Sequence, residues 1–375
     1  MPSEAKPLKI LMTADPIGGV WTYALELIKA LEPTGARIAL ATMGGPLTQS
    51  QYQQVRELPR VALYESAFKL EWMEDPWEEV DAAASWLLHL NRTFEPDLIH
   101  LNNLVHGHLN WGRPVVVVVH SCVLSWWHSV KTAAAPACWQ TYRERVSSSL
   151  SAATVVVAPS RAMLETVEML YGFFEDAVVI PNGRSTALFC QGPKEPFVFS
   201  MGRVWDEAKN IQLLTEVAAA LSWPVLVAGE ARHPATNEIL ALPNIQFLGP
   251  LAPAAIADHL SRASIFALPA KYEPFGLSAL EAAISGCALV LGDIPSQREI
   301  WQQAATYVDP RDAGALQAAL AGLIADDNHR TSMGERARQT ALRYSVSQMA
   351  SSYSQLYRQL ASSGIRTQLS VSSKQ

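Results

Sequence analysis

The sequence predicts an α/β protein made of two tandem Rossmann-like domains facing each other across a cleft. Three observations lead there. The chain has 375 residues, more than twice the roughly 150 of a single domain, so two domains fit best. Short β-rich runs alternate with helical stretches, the pattern of a doubly wound parallel sheet. A Gly-, Pro- and polar-rich stretch at 183–196 breaks that alternation, which then starts again.

In the first half, 1–182, strands are expected at 8–14, 36–42, 60–64, 96–102, 114–120, 153–159 and 177–182. Several are continuous apolar runs, such as the five valines from Val115 to Val119, which suits strands covered on both faces. Helices are expected between them at 20–31, 77–91, 138–152 and 160–171. Beyond the linker, the domain 197–345 repeats the scheme. Its strands are expected at 197–203, 223–230, 244–249, 263–269, 288–293 and 305–309, and its helices at 210–221, 252–262, 276–285 and 313–325. The last helical stretch, about 327–361, is polar and amphipathic, and its final part, 346–361, is expected to cross back to the first domain. The Ser-, Gln- and Lys-rich tail 362–375 reads as disordered. In such sheets a ligand sits outside the carboxyl ends of the strands, here in the cleft between the domains.

Composition excludes several classes. Apolar residues are 49%, enough for real cores and too many for a disordered chain. The apolar runs are far shorter than the roughly 20 residues of a membrane span. The start runs into the strand-like 8–14 without a cleavable apolar segment, so a cytoplasmic location is expected. Cys122, Cys138, Cys190 and Cys287 are far apart and form no ligand pattern, and they read as reduced thiols. Residues 1–180 carry 13 Lys and Arg against 19 Asp and Glu, while the remainder balances at 16 each. An acidic first half argues against nucleic acid and against docking on anionic lipid. Eight of the 11 tryptophans also lie before residue 180.

Three stretches carry chemistry. Gly18 and Gly19 sit between the first strand and the first helix, where glycine lets backbone approach a ligand and a helix N-terminus attracts an anion. The spacing is not GxGxxG and no acidic residue ends the second strand, so a dinucleotide site loses support. A tight βα turn is the plain alternative. Next, Arg203 and Lys209 flank a loop at the carboxyl end of the first strand of the second domain, and two such cations can converge on a pyrophosphate. Asp206 and Glu207 lie between them, so a solvated salt-bridge cluster is the competing reading. The third stretch, 267–293, is the most specific. Glu273 precedes Pro274, Phe275 and Gly276, a helix starts there, and Glu281 falls inside it. Eight helical residues span about 12 Å, so the two carboxylates suit the two ends of a long polar ligand. N–H groups around Gly276 and Leu277 would meet a phosphate between them.

These motifs resemble the family-4-type retaining glycosyltransferases of GT-B fold. The resemblance runs over nearly the whole chain: the Gly18-Gly19 loop, PDLIHLN, VVVVVH ending in His120, VVAPSRAM, VIPNG at the junction, Arg203 and Lys209, NIQFLGPL, and the Glu-x7-Glu pattern. It implies that Glu273 holds hydroxyls of the transferred sugar and Glu281 the nucleotide ribose. Arg203 and Lys209 would neutralise the departing diphosphate, and Gly18-Gly19 would close on it. Backbone near Leu248 and Gly249 would meet the base, and His120 would lie beside the reacting carbon. His100 and His106 stand in comparable places, and a turn-capping role is the alternative for His120.

The expected activity is transfer of a hexose-type sugar from a UDP- or GDP-linked donor to a hydroxyl of a carbohydrate-containing acceptor, in polysaccharide or glycoconjugate biosynthesis. No Asp-x-Asp motif occurs, and two fixed cations make a metal unnecessary, so neither metal nor cofactor is expected. Trp126 and Trp127 are expected on the acceptor side of the cleft, because aromatic faces suit sugar C–H surfaces; burial in the domain core is the alternative. A nucleotide-sugar epimerase, a phosphorylase-like enzyme and a non-catalytic sugar-nucleotide binder are the competing functions. A phosphorylase would normally need a lysine-bound cofactor, to which nothing in the sequence points.

Overall fold

The computed structural model describes residues 6–232 and 238–372, without the side chains of 363–372. The first part builds β1 (Lys9–Ala14), α1 (Gly19–Leu31), β2 (Arg37–Thr42), α2 (Gln49–Arg56), β3 (Val61–Glu65), α3 (Trp77–Phe94), β4 (Leu98–Leu101) and β5 (Val115–Val118). It continues with α4 (Val123–Trp126), which runs into a π-helical turn at Trp127–Lys131, then α5 (Gln140–Ala152), β6 (Val155–Ala158), α6 (Arg161–Tyr171) and β7 (Ala177–Val179). The strands form one parallel sheet of order β3-β2-β1-β4-β5-β6-β7. Every residue of β5 and β6 is buried, as their valine runs require.

The second part builds β8 (Glu195–Met201), α7 (Ile211–Ala218), β9 (Val225–Ala228), β10 (Gln246–Gly249), α8 (Pro253–Arg262), β11 (Ala263–Leu268) and α9 (Leu277–Ile284). It ends with β12 (Ala288–Gly292), α10 (Pro295–Trp301), β13 (Thr306–Val308), α11 (Ala313–Ala325) and α12 (Asp327–Ala341). Its parallel sheet has the order β10-β9-β8-β11-β12-β13. Each sheet reverses beside its first strand, at β1/β4 and at β8/β11. Those reversals are where α/β sheets open a crevice for ligands.

The last helix, α13 (Val346–Ser372), returns to the first sheet. Met349, Ala350, Tyr353 and Tyr357 join the core formed by α1 and one face of β1, β2, β5 and β6. The helix continues past 361, where a disordered tail was expected to begin; once nucleated, a helix extends at little further cost per residue. Residues 373–375 of that tail lie outside the described residues. Three other helices were not anticipated. The polar α2 buries only Val55 and starts from a Thr48–Gln51 capping box, while α4 and α10 are too short to show a period.

Direct bonds join the two parts. Trp126 Nε1 donates to Asp206 at 3.0 Å, the Ser125 and Tyr272 hydroxyls meet at 2.7 Å, and Ser160 Oγ donates to the Pro274 carbonyl at 2.8 Å. Glu299 accepts from the backbone N–H groups of Arg161 and Ala162, both at 2.8 Å, so a carboxylate of the second part caps a helix of the first. The two parts are therefore tied to each other beside the cleft.

Candidate active site

Two helices point their N-termini into the cleft. At α1 the cap is Gly18, with φ 80°, and at α9 it is Gly276, with φ 97°; neither has a side-chain cap. Their first N–H groups are therefore left for a ligand. The two turns face one another. A Cβ on Gly18 would lie 3.9 Å from Arg203 Nη1, and one on Gly19 would lie 3.7 Å from Leu277 Cδ1. Both glycines thus belong to the wall opposite Arg203 and α9.

Glu273 sits in the loop between β11 and α9, and its carboxylate pairs with the Lys209 ammonium. Both side chains are mostly buried, so Lys209 is not in a solvated cluster with Asp206 and Glu207. The loop is anchored on both sides. Ser296 Oγ donates to the Glu273 carbonyl at 2.5 Å, and Gln297 Nε2 donates to the Phe275 carbonyl at 3.0 Å. The Phe275 ring is buried edge-on against Tyr344, so this residue offers a ligand only its backbone.

Arg203 is half-exposed, pairs with Asp206 at 2.8 Å and lies over the Trp205 ring. Its loop leaves β8 beside the ends of β9 and β10. Gly202 N donates to the Ala228 carbonyl at 3.1 Å, and Gly229 N donates to the Gly249 carbonyl at 2.9 Å. A Cβ on Gly229 would fall 1.8 Å from the Gly202 carbonyl oxygen, so only glycine fits there. Leu248 and Gly249 thereby stand at the same sheet end as Arg203.

Glu281 lies farther inside α9. Its Oε1 accepts from Arg184 Nε at 2.7 Å, and Arg184 Nη1 also pairs with Glu26 of α1. Burial raises the Glu281 pKa, Arg184 pulls it back, and Glu26 adds to the rise. Sequence reasoning missed Arg184 and Glu26. The arginine directly after Asn182-Gly183 at the domain junction was the available signal.

His120 follows β5 and enters from the first sheet. Its Nε2 lies 2.8 Å from Asn102 Oδ1, and its ring stands edge-on to Tyr23 at 4.4 Å. Asn102 Oδ1 also meets His100 Nε2 at 3.2 Å, while Tyr357 of α13 meets His100 Nδ1 at 2.6 Å. A single carbonyl oxygen between two imidazoles accepts from both. Each histidine therefore carries its proton on Nε2, Tyr357 donates to His100, and His120 Nδ1 is left as an acceptor. Burial lowers the pKa of His120 to about 3 and that of His100 to about 4, so both are neutral. His106 is turned away, bonding Asn103 at 2.5 Å and the Val80 carbonyl at 3.0 Å. Asp15, before the Gly18 turn, was also missed. Burial raises its pKa to about 7, with Glu71 adding to the rise and Arg203 opposing it.

Trp126 and Trp127 are half-buried and stand edge-on to each other at 5.7 Å. Neither is in the core. The Trp126 N–H is spent on Asp206, the partner of Arg203, so this residue joins the two sides of the cleft. Among the described residues no group of three His, Cys, Asp or Glu side chains is placed to hold a metal ion. No helix among them is long and apolar enough to cross a membrane.

A GT-B architecture is thus defined, with carboxylates, cations and uncapped helix ends meeting in one cleft. The family model described as Glycosyl transferases group 1 matches residues 191–340, and the one described as Glycosyltransferase Family 4 matches residues 17–188. Together they span most of the chain, which belongs to the family-4-type GT-B glycosyltransferases. A phosphatidyl-myo-inositol mannosyltransferase of Mycolicibacterium smegmatis is 27% identical over 52% of this chain and 55% of its own length. A D-inositol 3-phosphate glycosyltransferase of Corynebacterium urealyticum is 35% identical over 31% of this chain and 28% of its own length. The chain spans about half the length, or less, of these two curated relatives. Among solved structures, sucrose-phosphate synthase of Thermosynechococcus elongatus aligns with a TM-score of 0.80 at 19% identity, covering 95% of this chain and all of that one. Anabaena Alr3699/HepE in complex with UDP-glucose aligns at 0.74 and 19% identity, over 94% of this chain and all of that one. At these identities the structural likeness speaks for the fold.

Proposed function

We propose that this protein transfers a hexose-type sugar from a UDP- or GDP-linked donor to a hydroxyl of a carbohydrate-containing acceptor, retaining the anomeric configuration and using no metal. The pathway is polysaccharide or glycoconjugate biosynthesis. The observation that carries the reading is the Lys209–Glu273 pair at the uncapped N-terminus of α9, facing Arg203 and the Gly18-Gly19 turn. The mannosyltransferase and inositol-phosphate glycosyltransferases among the relatives, and the UDP-glucose complex among the structural neighbours, support it.

In this reading the bond from the sugar C1 to the diphosphate oxygen breaks as a bond from C1 to the acceptor oxygen forms. Negative charge grows on the leaving diphosphate. Lys209, Arg203 and the N–H groups of α1 and α9 stabilise that charge, the kind of effect that is usually the largest catalytic term. The acceptor's proton passes to the leaving phosphate on the same face. Glu273, freed from Lys209 as the ammonium turns to phosphate, holds sugar hydroxyls. Neutral His120 accepts at Nδ1 beside C1. The enzyme works in the cytoplasm, with the acceptor entering from the first domain.

The test is a donor panel. UDP- and GDP-linked sugars are screened by thermal shift, and products are identified for the best binder. Binding by one nucleotide class, with release of nucleoside diphosphate, is expected. A chain stabilised by none of them would refute the reading, and binding without turnover in any acceptor mixture would favour a sugar-nucleotide binder. In the same assay Trp126→Phe keeps the ring and removes the N–H from Asp206. Asp206 then draws more strongly on Arg203, and donor KM should rise about three- to tenfold, the scale of one ordinary hydrogen bond. A rise in acceptor KM alone would support the acceptor-side placement of Trp126 instead.

A further inference from the structure

Arg184 is held more firmly than a linker residue needs to be. It follows Asn182-Gly183 where the chain leaves the first sheet, beside the segment by which the chain returns. Its N–H donates to the Tyr344 carbonyl at 3.1 Å, and it forms a parallel bridge with Ser345. A Cβ on Gly183 would fall 2.3 Å from the Ser345 carbonyl oxygen, so the two crossings touch backbone to backbone. The guanidinium lies over the Phe189 ring, 5.0 Å from its centre.

That pinned guanidinium is shared. Nη1 pairs with Glu26 of α1, and Nε donates to Glu281 Oε1 at 2.7 Å. The three side chains are only 11–15% exposed. Two carboxylates thus face one cation in a nearly closed space, and only the planar fork of arginine can serve both from one position. Glu281 spends one oxygen on Arg184, and its other oxygen makes no hydrogen bond among the described residues. Glu26 stands on α1, whose N-terminus carries the Gly18-Gly19 turn.

We propose that Arg184 is a positioning residue for nucleoside recognition: it presents the second oxygen of Glu281 to a ribose diol and, through Glu26, ties that recognition to the seating of α1. This rests on the reading of Glu281 as a ribose ligand. A carboxylate oxygen only accepts, so it selects a ligand that offers hydroxyl donors. Without Arg184, two buried carboxylates would share the space and one would take a proton. The protonated acid would no longer be an accepting group of fixed orientation.

The experiment compares UDP and GDP with their 2′-deoxy forms, by calorimetry on the full chain between pH 6 and 9. The wild type should prefer the ribose form by about tenfold or more, the scale of a hydrogen bond to a charged group. Glu281→Gln should erase most of that preference. Arg184→Gln should do the same, and its ribose preference should recover in part as pH rises and Glu281 ionises. Glu26→Gln should keep the preference while weakening both forms alike. Arg184→Gln/Glu281→Gln, which leaves one carboxylate in that space instead of two, controls for folding, and Arg184→Lys should rescue affinity only in part.

An unchanged preference in folded Arg184→Gln, with Glu281→Gln erasing it, overturns the role of Arg184 and spares the donor reading. An unchanged preference in Glu281→Gln, or a wild type that binds neither nucleotide, overturns the ribose assignment and this inference with it.

Discussion

Lys209→Met should lower kcat with the best donor by about 10²–10³-fold, the loss seen when one fixed group that stabilises developing charge is removed. The reason lies in the resting pair. Lys209 and Glu273 are 16% and 10% exposed and bonded to each other. In the proposed reaction a departing diphosphate competes for the ammonium, and the freed carboxylate turns to the sugar. Removing the cation costs the leaving group its partner and leaves Glu273 buried without a counter-ion. Breaking a buried pair from one side costs about 3–5 kcal/mol of stability, so Tm should fall as well. Glu273→Gln in the Lys209→Met background removes the stranded charge. Tm should recover in the double variant while turnover stays lost, which separates folding from chemistry. Single and double variants measured by melting and by nucleoside-diphosphate release form the cycle. A Lys209→Met enzyme that is stable and within tenfold of wild-type kcat would remove Lys209 from the leaving-group role.

The groups in that cycle were legible in the sequence because their signals are local. The Glu-x7-Glu spacing, the turn glycines and the two cations each occupy a few consecutive residues beside a strand end. The parallel sheets were legible for the same reason, as apolar runs such as β5 and β6 admit few other placements. What escaped depends on contacts between distant segments. Nothing local in the sequence shows that Arg184 meets residues 158 positions before it and 97 after it. The Trp126–Asp206 bond escaped because Asp206 lies in the other sheet's loops. Asp15 reads as a turn residue, and only burial beside Glu71 raises its pKa to about 7. The helical continuation past 361 escaped because composition describes a segment in isolation, whereas a helix end inherits a nucleus from the turns before it.

Asn102→Leu should lower kcat by about 10–10²-fold, the scale of losing a partner that orients a histidine, because His120 then loses the bond that fixes its tautomer. The wild-type chain runs from Tyr357 on α13 through His100 and Asn102 to His120. With Asn102 Oδ1 accepting from both rings, His120 Nδ1 is left without a proton. Leucine removes the acceptor, and either nitrogen of His120 can then carry the proton. Tyr357→Phe removes only the far end of the chain, and a smaller loss is expected. The pH profile separates this role from acid–base chemistry. With its pKa at about 3, His120 gains no proton between pH 5 and 8, so it contributes no limb to kcat/KM there. Asp15, at about 7, titrates in that window at this end of the cleft. Below pH 7 it is neutral and leaves Arg203 to Asp206 and the diphosphate; above pH 7 its charge competes for Arg203. Donor binding should therefore weaken as pH rises through about 7. That limb should vanish in Asp15→Asn and persist in Asn102→Leu, whose loss in kcat should be the same at pH 6 and pH 8. Stability responds with its own sign. The folded pKa values of His100 and His120 lie below the ordinary value of about 6.5, so the unfolded chain binds protons that the folded chain refuses. Tm should fall as pH drops below about 6.5. A kcat/KM limb near pH 6.5 that disappears in His120→Asn would overturn the neutral, fixed-tautomer reading.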